Sequence, residues 1–245
     1  MKLAQDIAGW IAKQVKDSGK KGVVMGLSGG IDSALVAVLC RMAVGEKLLG
    51  LLLPCQSGSF DAEHALMLAE RFDIRTKKIE LDDIYQKVAG LLPEGSDLAR
   101  ANLKPRIRML VLYYFANSLD YLVAGTGNKS EISIGYFTKY GDGAADILPI
   151  GGLLKTEVIK LSGKMGIPRE IRERAPSAGL WEGQTDEKEI GISYEKLDGA
   201  IAAIEKKKTR GIDKNLLGRV REMMKGSKHK RAPVPVFTKK TRSGI

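Results

Sequence analysis

Cysteine and histidine are scarce in this 245-residue chain, with two of each. Cys40 and Cys55 form no C-x-x-C pair and no zinc-like spacing, and His64 and His229 offer neither an evident catalytic partner. That argues against a structural zinc site and against a cysteine nucleophile, and it reads as two buried thiols in a reducing compartment. No apolar run approaches the roughly 18 residues that a membrane span needs. A secretory leader is lacking too. Leu3, Ile7, Trp10, Ile11 and Val15 recur at helical spacing, with Lys2, Asp6, Lys13 and Gln14 between them, so Met1 to Val15 reads as a surface helix. These absences give the expectation of a cytoplasmic protein without a membrane partner.

Acidic residues are outnumbered, 29 against 40 Lys and Arg, for a formal net charge of +11. The excess is local. Lys225, Lys228, Lys230, Arg231, Lys239, Lys240 and Arg242 crowd a final segment with no acid, leaving 33 basic against 29 acidic residues elsewhere. A polyanionic small molecule explains such a tail as well as nucleic acid does. The 44% hydrophobic content suits a globular chain with a substantial core and no need of disulfides.

The apolar run Val23 to Leu27, the turn Ser28-Gly29-Gly30 and the apolar segment Ile31 to Ala43 read as strand, tight loop and buried helix. Lys47 to Leu53 reads as a second strand, Asp61 to Phe72 as a helix, and Arg75 to Leu81 as a third strand. Asn102 to Leu119 is a helix with Pro105 near its first turn, and Tyr121 to Ala124 a fourth strand ending in Gly125-Thr126-Gly127. Alternation of this kind makes a mostly parallel α/β sheet, with ligands outside the carboxyl ends of its strands. Both glycine-rich turns fall there. After Gly135 the chain is loop-rich, with later helices near 155–165, 194–208 and 214–225. The stretch 177–187 has the composition of a lid loop. No internal repeat and no second catalytic domain is evident.

Gly26-Leu27-Ser28-Gly29-Gly30-Ile31-Asp32-Ser33 is the most informative stretch. Its glycines permit close backbone approach to an anion, and the helix that follows presents N–H groups and a favourable dipole. Ser28 and Ser33 add hydroxyls. The bland alternative is a glycine turn with Ser28 or Asp32 as N-cap. It is neither a Walker A loop nor G-x-G-x-x-G. An Asp within a phosphate loop makes sense where Asp32 holds Mg²⁺ against the phosphates.

This stretch resembles the signature of the ATP pyrophosphatases, which split ATP into AMP and pyrophosphate. Further blocks narrow the resemblance: Asn102 to Met109, Gly125-Thr126-Gly127-Asn128-Lys129-Ser130-Glu131, Gly135 to Asp146, Lys155-Thr156-Glu157-Val158, Pro176 to Trp181, Gly183 to Glu187, and His229-Lys230-Arg231. In this order they are similar to NAD synthetase, from about Gly22 to Pro233. The resemblance implies a doubly wound parallel sheet of the Rossmann-like, adenine nucleotide alpha hydrolase type, with C-terminal helices, in a single domain spanning 1–245. Two departures stand out. Pro105 sits where many relatives carry a small residue, and the tail from Val234 to Ile245 loses the resemblance and has no assigned role.

Carried over residue by residue, the resemblance implies that Gly26, Leu27, Ser28, Gly29, Gly30, Ile31, Asp32 and Ser33, with Thr126, Lys155 and Ser177, contact ATP. Asp32 and Glu131 each ligate Mg²⁺. Arg106, Lys139, Asp146, His229 and Lys230 contact deamido-NAD, with Arg106 favoured over Arg108. For each residue the plain reading is a cap, a surface acid or a solvated lysine, and for His229 an exposed ring in a basic tail. Catalysis then needs no covalent nucleophile. AMP transfer to the carboxylate makes a mixed anhydride that ammonia attacks, and Lys155 and the metal ligands stabilise charge. Ammonia is the implied donor, since the glutamine-dependent relatives carry an added amidase domain. A homodimer is implied as well. The apolar helix 106–119 is its only support here, and burial within one subunit explains that helix equally. Rival readings on the same loop are a tRNA-thiolating enzyme, which needs cysteines of a kind absent here, and a non-catalytic nucleotide sensor.

Overall fold

The computed structural model describes residues 1–56, 59–177, 179, 181 and 183–239. Ala178, Leu180 and Glu182 of the expected lid and residues 240–245 of the tail lie outside the described residues. In chain order the elements are α1 (Lys2–Asp17), β1 (Gly22–Gly26), α2 (Ile31–Val44), β2 (Leu48–Leu52), α3 (Ser59–Arg71), β3 (Thr76–Lys78), α4 (Asp82–Leu91), α5 (Asp97–Ala101), α6 (Leu103–Leu119) and β4 (Tyr121–Val123). Then follow α7 (Lys129–Ile134), α8 (Lys155–Lys164), α9 (Arg169–Arg172), α10 (Asp186–Ile190), α11 (Tyr194–Glu205), α12 (Lys214–Gly226) and α13 (Lys228–Arg231).

The four strands are all parallel, in the order β3-β2-β1-β4, as the alternation of strand and helix requires. Val23 pairs with Leu48 and Val24 with Val123. Both faces of β1, β2 and β4 are covered, which is why those strands are mostly apolar, whereas the edge strand β3 is Thr76-Lys77-Lys78 and largely exposed. Val23, Met25, Leu48 and Leu52 pack with α1, α2 and α8 in one core. Val24, Leu49, Leu51 and Val123 pack on the opposite face with Ile107 and Ala116 of α6. A third cluster joins Ile134, Tyr194, Leu197, Ile201, Leu217 and Val220 of the C-terminal helices. Helix α2 lies nearly all inside, with every residue from Ser33 to Cys40 buried. In α1, Ile7, Ile11 and Val15 turn inward, whereas Leu3 and Trp10 stay on the surface.

The third strand is shorter than expected and stops at Lys78, paired with Leu52. Pro54 has no N–H to extend the ladder. Beyond it the Ile79 and Leu81 N–H groups donate to the carbonyls of Leu52 and Pro54. Helices α4, α5, α7, α9, α10 and α13 are not expected from the sequence: α4 buries no residue fully, and the other five, of four to six residues, are too short for an apolar period to show.

Candidate active site

The glycine-rich loop links the carboxyl end of β1 to α2. Gly29 adopts a φ of +76°, a conformation that a side chain resists. Both serines shape the turn. The Ser28 N–H and hydroxyl donate to Ser33 Oγ at 3.3 and 3.0 Å, and Ser33 Oγ donates to the Gly30 carbonyl at 2.9 Å. Gly30 is the N-cap of α2, and no side chain caps the helix there. The bland alternative, Ser28 or Asp32 as N-cap, is therefore not what forms. The first turn of α2 presents N–H groups suited to an anion.

Asp32 projects from that turn toward Lys155, the first residue of α8. The Lys155 ammonium is ion-paired with the Asp32 carboxylate and lies 3.4 Å from Glu131 Oε1. The lysine side chain is 1% exposed. Asn128 Nδ2 donates to Asp32 Oδ1 at 2.9 Å. Asn128 and Glu131 also form a capping box at the start of α7: the Glu131 N–H donates to Asn128 Oδ1 at 3.0 Å, and the Asn128 N–H to Glu131 Oε2 at 3.3 Å. Glu131 thus serves as a cap and as a site carboxylate at once, through its two oxygens. Burial and the neighbouring Asp32 charge push its pKa up to about 8, against the attraction of Lys155. Burial opposes charge on Lys155, but Asp32 and Glu131 outweigh it and hold the ammonium above its ordinary value.

These groups line a cavity of about 480 Å³ at the carboxyl ends of the strands. Of the expected ATP residues, Gly26, Leu27, Ser28, Gly30, Ile31, Asp32, Ser33, Thr126, Lys155 and Ser177 line it, joined by Glu131 and Lys230. Gly29 is not among the lining residues. The wall toward β2 is apolar, through Leu51, Leu52 and Leu53.

The expected deamido-NAD residues fall mostly outside this space. Arg106 donates to the Lys139 carbonyl at 3.4 Å, and Lys139 Nζ to the His229 carbonyl at 2.9 Å, forming an exposed row. The His229 ring meets the Gly226 carbonyl at 3.1 Å. Lys230 Nζ donates to the carbonyls of Gly135 and Phe137 at 2.8 and 2.9 Å, and burial lowers its pKa. Asp146 accepts the Val123 N–H at 2.7 Å and the Tyr113 hydroxyl at 3.2 Å, so its carboxylate secures the end of β4. Arg108, unlike Arg106, lines the cavity, and its Nε donates to the Leu53 carbonyl at 3.0 Å.

Sequence reasoning missed Asn128, although its N-x-x-E spacing to Glu131 is a legible capping signal. It also missed Asp186, Tyr136 and Tyr194. Tyr194 donates to Asp186 at 2.9 Å and Tyr136 at 3.3 Å, and burial raises the Asp186 pKa. Tyr136 and Asp186 lie within two of the blocks that carry the resemblance, but nothing local shows that they and Tyr194 come together, which happens only through the fold.

Two oxygen donors, Asp32 and Glu131, converge on one cation, the Lys155 ammonium. Among the described residues no larger cluster of His, Cys, Asp or Glu is arranged to hold a metal. One or two carboxylates, completed by water and substrate phosphates, are what Mg²⁺ uses in nucleotide sites, so the donor set fits that ion.

Comparison with known proteins identifies the family. The family model described as NAD synthase matches residues 3–234. The NH(3)-dependent NAD(+) synthetase of Archaeoglobus fulgidus is 51% identical over 239 residues, covering 96% of both chains. The solved structure of NH3-dependent NAD synthetase from Campylobacter jejuni superposes with a TM-score of 0.85 at 32% identity, covering 97% of this chain and 98% of the other. That of NMN synthetase from Francisella tularensis gives 0.88 at 35% identity, covering 96% and 98%. A family model matched over nearly the whole chain, and a relative sharing half its residues over the same span, establish that this chain belongs to the NAD synthase family.

Proposed function

We propose that the protein amidates deamido-NAD to NAD with ammonia, activating the carboxylate with ATP and releasing AMP and pyrophosphate. The observation that carries this is Lys155 joined to Asp32 beside an uncapped helix N-terminus in one cavity. That arrangement suits a polyphosphate whose bridging oxygen gains charge as the α-phosphoryl group leaves. The backbone N–H groups of the loop orient the phosphates. Lys155, held protonated, would compensate the charge on the leaving pyrophosphate. Asp32 and Glu131 would hold Mg²⁺, which supplies further neutralisation of the phosphates. The protein's share is alignment and a fixed electrostatic environment, without a covalent intermediate. Both cysteines are buried, and neither lines the cavity.

Thr126 and Ser177 complete the ATP set, and Arg106, Lys139, Asp146, His229 and Lys230 form the deamido-NAD set. The exposed position of the Arg106–Lys139–His229 row supports a dinucleotide reaching out of the cavity to a subunit boundary. Leu110 and Tyr114 of α6, each 65% exposed, support a homodimer built on that helix. No described helix is long and apolar enough to cross a membrane. With two buried thiols and no disulfide, the chain suits the cytoplasm. We read it as one synthetase domain.

A mononucleotide acceptor is the second reading, favoured by the likeness to the Francisella tularensis NMN synthetase. The test supplies ATP, Mg²⁺ and ammonium or glutamine with either deamido-NAD or nicotinate mononucleotide. NAD formed with ammonium and little with glutamine supports the proposal. Faster turnover of the mononucleotide shifts it to the second reading, and AMP formation driven by tRNA, or none at all, defeats both.

A further inference from the structure

Lys155 is held from behind by one face of α11. Its backbone N–H donates to Ser130 Oγ at 2.9 Å, and the Ser130 hydroxyl donates to Asp198 Oδ1. The next N–H, that of Thr156, donates to Asp198 Oδ2 at 2.8 Å. Leu154, the N-cap of α8, has no side-chain acceptor, so a carboxylate from another helix satisfies the first turn and complements its dipole. One turn earlier on α11, Tyr194 meets the other end of the same lysine. Its ring lies under the ammonium, 5.0 Å from Nζ to centroid. The Tyr194 hydroxyl is 2.9 Å from Asp186 and 3.4 Å from Glu131 Oε1. Residues at i and i+4 share a helix face, so one rigid surface fixes both the root and the tip of Lys155.

Tyr194 and Asp198 are each 3% exposed, and neither lines the cavity. Any effect they have on chemistry passes through Lys155 and Glu131. A tyrosine needed only to fill the core could be phenylalanine, and a carboxylate so deeply buried is rarely retained without a specific set of donors to satisfy. Here the donors belong to the start of α8 and to Ser130, the neighbour of Glu131.

We propose that Tyr194 and Asp198 are positioning residues for the adenylation step, α11 serving as the mount that aims the Lys155 ammonium at the ATP phosphates and holds the Glu131 carboxylate where it would ligate their Mg²⁺. This rests on the reading of the cavity as the ATP site. Removal of the hydroxyl breaks its bridge between Glu131 and Asp186. Removal of the ring lets the ammonium settle onto Asp32 alone. Loss of the Asp198 carboxylate uncaps α8 and releases the lysine backbone.

The test compares Tyr194→Phe, Tyr194→Leu, Asp198→Asn and Asp198→Ala in the full chain. The readouts are Tm, kcat, KM for each substrate, the Mg²⁺ concentration for half-maximal rate, and ATP·Mg²⁺ binding by calorimetry. We expect Tyr194→Phe to keep the parent Tm, to lower kcat about 10-fold and to raise the Mg²⁺ requirement, with KM for deamido-NAD unchanged. Tyr194→Leu should lose roughly 10-fold more. Asp198→Asn, which keeps an acceptor for Thr156, should recover most of what Asp198→Ala loses per folded molecule.

Folded Tyr194→Phe and Asp198→Asn proteins with kcat, Mg²⁺ requirement and ATP binding within about twofold of the parent overturn the proposal, since outer-shell partners typically cost tenfold or more. So does a loss that merely follows the folded fraction. Should the parent itself make no AMP with deamido-NAD, the functional reading fails instead. Weakened ATP·Mg²⁺ binding in Tyr194→Phe then still supports the mount, and unchanged binding overturns it.

Discussion

Lys155 and Asp32 are 123 residues apart in the chain and form an ion pair at the floor of the cavity. One opens α8 and the other lies in the first turn of α2, so two helix N-termini converge on a single buried ammonium. A lysine so enclosed is costly to desolvate unless it is paired, and it cannot swing away to solvent. The pair is therefore a fixed piece of electrostatics rather than a surface contact.

Asp32→Ala and Lys155→Met should each reduce pyrophosphate release by about 10²-fold or more, the usual consequence of deleting a preorganised charge at a reacting phosphate. Circular dichroism verifies that the variants are folded. Turnover within about threefold of the parent, well under that range, would refute the assigned roles and favour a nucleotide sensor.

Glu131 gives a pH signature. Its carboxyl in the metal-free protein has its pKa raised from 4.5 to about 8, so the fold retains its proton more tightly than the unfolded chain does. The stability this contributes is complete below the ordinary value and is lost as pH rises through about 8. Mg²⁺ needs the ionised form, so its apparent affinity should rise over the same window. Thermal melts with and without Mg²⁺ at about pH 6 and about pH 9 should show a larger metal-induced gain in Tm at the higher value. An equal gain at both would contradict the Glu131 assignment.

Both thiols should be inert in the native state. Burial pushes the Cys40 pKa up to about 12 and raises that of Cys55 as well, which suppresses the reactive thiolate. Titration with a disulfide reagent should detect neither in the folded protein and both after denaturation. Rapid labelling of a native thiol would disagree.

Leu110 and Tyr114 should lie in the subunit contact. Sedimentation of the parent should give about twice the 26.6 kDa chain mass, and Leu110→Glu should shift the population toward that single-chain value. A 26.6 kDa parent particle at micromolar concentration would remove the homodimer from the account.

Much of this architecture was legible in the sequence because it depends on local signals. Val23 to Ile31 carries its strand, turn and buried helix in adjacent residues, and the Gly26–Ser33 and Gly125–Glu131 motifs locate the cavity. The chemistry around Lys155 was legible only in part. Tyr194 and Asp198 lie in an ordinary amphipathic helix, and nothing at positions 194 or 198 signals a lysine some forty residues earlier in the chain. The serines of the loop, expected as ligand donors, line the cavity and also bond to each other and to the turn, because a tight turn must satisfy its own polar groups. Arg106 and Arg108 could not be separated by spacing. Only the packing of α6 on the sheet brings Arg108 to Leu53 and leaves Arg106 at Lys139.

The account turns on ATP being cleaved at its α-phosphate by the substrate carboxylate within this cavity. Deamido-NAD labelled with ¹⁸O in its carboxylate tests that directly, by mass spectrometry of all phosphorus-containing products. One labelled oxygen should appear in AMP, with none in pyrophosphate. Label in orthophosphate alongside ADP, or AMP without label, would contradict it.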